Sequence, residues 1–158
     1  MENLITDRTI MDYLHFVELR EKGYAAMTEE EKAEWNAGNM KGAYNISDLN
    51  RVGKALNYIR DRLYLAGYVG KNVFTAKENW TLNDVPTAAD LAYYLAAVKV
   101  IHDAMAFYRA TPPPPNFSGA LDYNEANDIE KILIDVDELI TKMLKARYFC
   151  GELYSGEV

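Results

Sequence analysis

The stretch "NISDLNRVGKALNYIRDRLYLA", Asn45 to Ala66, decides the fold class. Its apolar residues Leu49, Val52, Leu56, Ile59 and Leu63 advance by steps of 3, 4, 3 and 4. Those steps hold side chains on one stripe of an α-helix and form the seam of a helical bundle. The stretch opens on Asn45, a polar cap, and carries Asp48 in its first turn. A carboxylate there interacts favourably with the positive end of the helix dipole.

The same steps recur twice further along the chain. In a helix expected over about 87–109 they place Leu91, Tyr94, Val98, Ile101 and Met105 on one stripe. In another, over about 124–147, they place Ile129, Ile132, Val136, Leu139 and Met143 there. An aspartate stands directly before each seam: Asp48, Asp90 and Asp128. Thr87 and Asp90, after Pro86, have the spacing of a cap pair. Three such seams bury one another, so the expected fold is all-α: a three-helix bundle of long helices crossing at roughly 20°. "DYNEANDIEKI", from Asp122, repeats the wording of "AYNISDLNRV", from Ala43. We read the phrase as a helix-opening device, with Tyr44 and Tyr123 packing the two helix starts together.

One or two additional N-terminal helices are expected against the bundle. An amphipathic segment over about 7–22 has Ile10, Tyr13, Leu14 and Val17 on one side and Gly23 as its stop. Thr28 and Glu31 have capping-box spacing before a short helix closed by Gly38. The organisation is therefore an N-terminal helical segment, 1–41, and a helical bundle domain, 42–158, forming one compact unit. The connection over 67–85 is too long for a tight turn between packed helices. Val73, Phe74 and Trp80 give it apolar residues to pack on the bundle, a short hairpin being one way to do so. The four prolines of "ATPPPPNFSGAL" favour a stiff segment returning the chain across the bundle end. The stretch "RYFCGELYSGEV" is expected to leave the last helix as an extended segment.

The 24 acidic residues against 17 basic ones leave a net charge of −7, which disfavours nucleic acid and anionic membrane surfaces as partners. No apolar run approaches the roughly 20 residues of a membrane span. The opening "MENLITDRTI" has neither the basic start nor the apolar run of a signal peptide, so cytoplasmic synthesis without an export signal is expected. Cys150 is the only cysteine and has no sequence cue for a partner base. There is no Gly-x-Ser-x-Gly elbow and no phosphate-cradling glycine loop. His15 lies between Asp12 and Glu18 on one helical face. A di-iron bundle, however, needs Glu-x-x-His pairs on two helices, and a solvated polar face is the better reading. Arg109, Pro112 and Pro115 match the SH3-ligand spacing, but a rigid connector between helices explains that run more simply. We therefore expect no catalytic residue, no cofactor and no metal. Tyr68, Trp80, Tyr148, Phe149 and Tyr154, in the long connector and the tail, form the candidate interaction surface.

"GAYNISDLNRVGKALNYI", "WTLNDVPTAADLAYYLAAV", "LDYNEANDIEKILIDVDELI" and "FCGELYSGE" together resemble uncharacterised proteins encoded by phages and prophages of Gram-positive bacteria. The resemblance covers 42–158 and leaves 1–41 outside. It implies a part of the virion, in the tail or its tip, made in the host cytoplasm before assembly. It brings no enzymatic motif. The resulting expectation is a non-enzymatic structural or adaptor domain, contacting other virion or tail proteins and further copies of itself. The alternative is a helical module for a small ligand or glycan, with Trp80 and nearby tyrosines as stacking platforms.

Overall fold

The computed structural model describes residues 3–105, 110–116 and 121–154, with side chains through residue 146. Five α-helices follow one another: α1 (Ile10–Lys22), α2 (Glu29–Ala37), α3 (Ile46–Leu65), α4 (Ala88–Asp103) and α5 (Tyr123–Tyr154). A single 3-10 turn, Tyr24–Ala26, separates the first two. Among the described residues there is no β-strand, so the fold is all-α as the spacing indicates.

Each helix opens where a side chain can take up an orphan backbone N–H. Thr9 and Asp12 cap α1 reciprocally, with Thr9 N–H donating to Asp12 Oδ2 (2.7 Å) and Asp12 N–H to Thr9 Oγ1 (3.2 Å). Thr28 with Glu31 and Thr87 with Asp90 make the same box, as their spacing indicates. In α3, Asp48 accepts the Asn45 N–H (2.8 Å), while the Asn45 amide turns back to donate to the Met40 and Ala43 carbonyls. The α5 box is Asp122 with Glu125, at 2.9 and 2.7 Å, one turn earlier than the repeated phrase suggests. Asp128 is thus not a first-turn acid. Burial, with the charges of Asp122 and Glu125, pushes its carboxyl above the usual aspartate value.

The three long helices pack against one another in every pairing. All five seam residues of α3 are buried, as are Tyr94, Val98 and Ile101 of α4 and Ile129, Ile132 and Val136 of α5. On α5 the buried stripe is wider than its seam. Leu133 and Ile140 are fully covered, and Leu139 only partly, because this helix faces two neighbours at once. Contacts between α3 and α5 advance in the same sense along both: Arg51 with Glu130, Arg62 with Asp137 and Thr141, and Tyr68 with Met143. The two helices run in the same direction. The connection after α3 runs back along it, with Phe74 beside Arg60, Ala76 beside Asn57 and Trp80 beside Asn50, and so needs its length.

The 66–87 connection is a strap and not a hairpin. Asn57 holds it with both ends of its amide, accepting the Ala76 N–H and donating to the Ala76 carbonyl, each at 2.9 Å. Asn50 does the same with Trp80 two turns earlier (2.6 and 2.9 Å), and Arg60 donates to the Phe74 carbonyl (2.9 Å). These side chains supply the partners a second strand would have given, which satisfies the strap's backbone against a helix. Gly53 lies between the two asparagines, and the Lys77 carbonyl passes where its Cβ would be, 2.3 Å away.

The tail differs from expectation. The backbone of α5 stays helical to Tyr154, since extending a formed helix adds one hydrogen bond per residue and a single glycine such as Gly151 costs only about 1 kcal/mol. Of the proline segment, Thr111 donates its hydroxyl to Asp135 on α5 (2.8 Å), and Arg109 lies outside the described residues.

Residues 3–9 thread into the bundle ahead of α1. Leu4 packs on the main core and Arg8 is buried. Helices α1 and α2 build a smaller core of their own from Leu19, Met27 and Met40, with Phe16 stacked on Trp35 (5.9 Å, 4°). Of the side of α1 read as apolar from its spacing, Ile10, Tyr13 and Leu14 are exposed and Val17 is partly covered. The one fully buried residue among those described on α1, Leu19, lies on the opposite side of the helix from Ile10.

Candidate functional site

The repeated phrase leads to one place. Asp48 and Arg51, from the first copy, meet Asn127 and Glu130, from the second, around the Arg8 guanidinium. Arg8 Nη2 donates to Asp48 Oδ1 (3.1 Å) and to Glu130 Oε1 (2.7 Å). Arg51 donates to the same two carboxylates, to Glu130 at 2.8 and 3.2 Å. Glu130 is 0% exposed and also accepts the Ile5 N–H. Asn127 closes the far side, donating to the Arg8 carbonyl (2.9 Å) and accepting the Arg8 N–H (3.1 Å). Two cations and two anions balance here, as buried charges require. Burial works against the Arg51 charge, but the hydrogen bonds and charges of Glu130 and Asp48 outweigh it and hold its pKa above the usual arginine value. Arg8 Nε alone in this cluster is buried without an acceptor. A buried orphan of this kind costs about 1–3 kcal/mol.

Beside the cluster a groove of ≈ 560 Å³ opens between α1, residues 41–44 and the start of α5. Arg8, Arg20 and Lys41 line it together with Tyr13, Phe16, Tyr44 and Tyr123. Among the described residues no ring stacking joins Tyr44 to Tyr123. The Tyr44 hydroxyl bonds to that of Tyr94 (2.8 Å), and the Arg8 guanidinium lies 5.8 Å from the Tyr44 ring centre. Burial raises the phenol pKa of both Tyr44 and Tyr94 well above the ordinary tyrosine value. Tyr123 instead stacks on Tyr13 of α1 (6.2 Å, 29°). The two helix starts are joined through Arg8, and their tyrosines become walls of one groove. Gly42 belongs to the same place. A Cβ on it would lie 1.9 Å from the Asp12 carbonyl, so the chain meets α1 there without a side chain.

No family model, curated protein or solved structure matches this chain.

The residues singled out from sequence fall elsewhere. Tyr68 is 44% exposed at the far end of the bundle, its hydroxyl 3.9 Å from Met143 Sδ. Trp80 is partly buried on the main core, with Lys77 Nζ 4.0 Å from its ring centre and its indole N–H buried without an acceptor. Tyr148, Phe149 and Tyr154 belong to the last turns of α5, and their side chains, with that of Cys150, lie outside the described residues. Asp12, His15 and Glu18 do not converge: Asp12 caps α1, and His15 Nε2 meets Glu34 of α2 at 3.0 Å. Among the described residues no three His, Cys, Asp or Glu side chains gather as a metal site. Nor is any described helix long and apolar enough to cross a membrane. Sequence reasoning missed Arg8, which stands ahead of the first helix and carries no periodic signal. Its one available cue was an arginine beside Leu4 and Ile5 in an otherwise polar lead-in.

The His15–Glu34 bridge makes a pH prediction. The hydrogen bond from Glu34 is the main cause raising the His15 pKa above 6.5, against slight desolvation. A raised folded-state pKa means the bridge's stabilisation is complete below about pH 6.5 and is lost as pH rises through the folded value. The side chains are half exposed, so the effect is small. An NMR titration of the His15 ring is expected to give a midpoint above 6.5, which Glu34→Gln should return towards the free value.

Proposed function

We propose that this chain is a non-enzymatic structural or adaptor domain of a phage or prophage particle, tail-associated and working through protein–protein contacts. The observation that carries the reading is the outward side of α1. Met11 is 69% exposed and Leu14 49%, with Ile10 beside them within two turns. A contiguous apolar stripe on a helix already packed by its other side marks an interaction surface. Its occupant in this reading is a second copy of the chain, consistent with a domain assembled in several copies. The net charge of −7 supports a protein partner over nucleic acid.

Light scattering at rising concentration tests this. Self-association is expected, and Met11→Glu with Leu14→Glu, both at exposed sites, should weaken it at least tenfold without lowering the melting temperature by more than a few degrees. A strictly monomeric protein that mass spectrometry does not find in particles of the source phage would sink the reading. A ligand-binding role draws separate support from the groove.

A further inference from the structure

We propose that the groove between α1, residues 41–44 and the start of α5 binds a small planar organic anion: an aromatic ring carrying a phosphate or carboxylate. Its ≈ 560 Å³ lies within the roughly 300–1,000 Å³ of small-molecule sites. Three cationic side chains converge on it, and they are not equally occupied. Arg8 is neutralised by Asp48 and Glu130, yet its Nε–H is buried without an acceptor. Lys41 meets only the mostly exposed Asp7 (2.7 Å). Arg20 has no ion pair among the described residues, and its guanidinium lies 5.8 Å from the Phe16 ring. An anion with two or three oxygens suits such a guanidinium, whose planar fork pairs with phosphate or carboxylate through two parallel hydrogen bonds.

The walls select the rest of the ligand. Tyr13, Tyr44 and Tyr123 line the groove, and Tyr13 and Tyr123 are stacked on each other, which favours a flat unsaturated body lying against them. The one acid lining the groove, Asp122, is engaged in capping α5 through the Glu125 N–H (2.7 Å). Gly42 lets residues 41–44 approach the α1 backbone closely at Asp12, which fixes that wall of the groove.

Phenyl phosphate is the probe, with inorganic phosphate and phenol as its two halves, followed by protein NMR and calorimetry. Phenyl phosphate is expected to bind saturably, shifting the amides of Gly42, Ala43 and Asp122, with each half at least tenfold weaker. Arg20→Ala removes an exposed side chain and should weaken binding at least fivefold at unchanged melting temperature, whereas Lys99→Ala on α4 should leave it unchanged. The proposal is overturned by absence of saturation, by shifts confined to another surface, by inorganic phosphate or phenol binding as well as the whole probe, or by Arg20→Ala binding like the parent. Titration of the Met11→Glu, Leu14→Glu protein keeps this outcome separate from that of self-association.

Discussion

Glu130→Ala is expected to lower the melting temperature by roughly 10 °C, and more than any exposed acidic substitution. Glu130 is fully buried and accepts from Arg8, Arg51 and the Ile5 N–H, so its loss leaves two guanidinium groups facing Asp48 alone. Breaking a buried pair from one side costs about 3–5 kcal/mol. In a chain of this size each kcal/mol moves the midpoint by about 2–4 °C. The double variant Arg8→Met, Glu130→Leu tests the cause. It leaves Arg51 and Asp48 to each other and fills the site with apolar atoms, so it should be clearly more stable than the single Glu130→Ala. A double variant as unstable as the sum of its two single variants would show that the loss comes from packing and not from stranded charge.

Gly53→Ala should be the second large effect, with a sign opposite to intuition. In a free helix, alanine in place of glycine stabilises by about 1 kcal/mol. Here the new methyl would stand 2.3 Å from the Lys77 carbonyl and 3.3 Å from Glu78 Cα, both backbone atoms of the strap. Neither can swing aside as a side chain would. The strap must lift, straining the Asn50–Trp80 and Asn57–Ala76 bonds on either side. A net loss of about 1–3 kcal/mol is expected, as for overpacking generally. The diagnostic readout is hydrogen exchange at the Ala76 and Trp80 amides, which should quicken before the protein unfolds globally. Protection equal to that of the parent would mean the strap is not held where the structure places it.

The contrast between these two residues explains how far the sequence could be read. The α3 helix was legible because 3-4 spacing is a property of one helix, and Leu49 through Leu63 had to lie on one stripe whatever covered them. The caps at Thr28 and Thr87 were legible for the same reason, since donor and acceptor lie three residues apart. Gly53 gave no such signal. Its meaning depends on a carbonyl 24 positions away, and a lone glycine inside a helical pattern usually marks only a weak point. Asn50 and Asn57 read as polar residues beside a seam, although they hold the strap that replaces the expected hairpin.

On α1 the periodicity was real and its interpretation reversed. Ile10, Tyr13 and Leu14 do share a side, but Leu19 and Phe16 are the residues that enter the small core completed by Met27, Met40 and Trp35. Periodicity says which residues lie together on a helix, never which way the helix is turned. The groove was hidden for a related reason: Arg8, Arg20, Lys41, Tyr44 and Tyr123 come from four separate stretches and have no common spacing.

By itself, then, the sequence determined the all-α class, the three long helices and most of their caps, because each of these rests on contacts within a turn or two of one helix. The tertiary structure alone decided that α3 and α5 run in the same direction, that the lead-in arginine joins the two matching helix starts, and that Ile10, Met11 and Leu14 of α1 stay exposed. Those outcomes depend on which surfaces meet across more than a hundred residues of chain, as between Arg8 and Glu130, where burial and charge balance choose the partner. The "YN" phrase shows both levels at once: locally it marks the openings of two helices, and only in the folded chain do Asp48 and Glu130, just beyond it in each copy, become the two anions that hold one buried arginine.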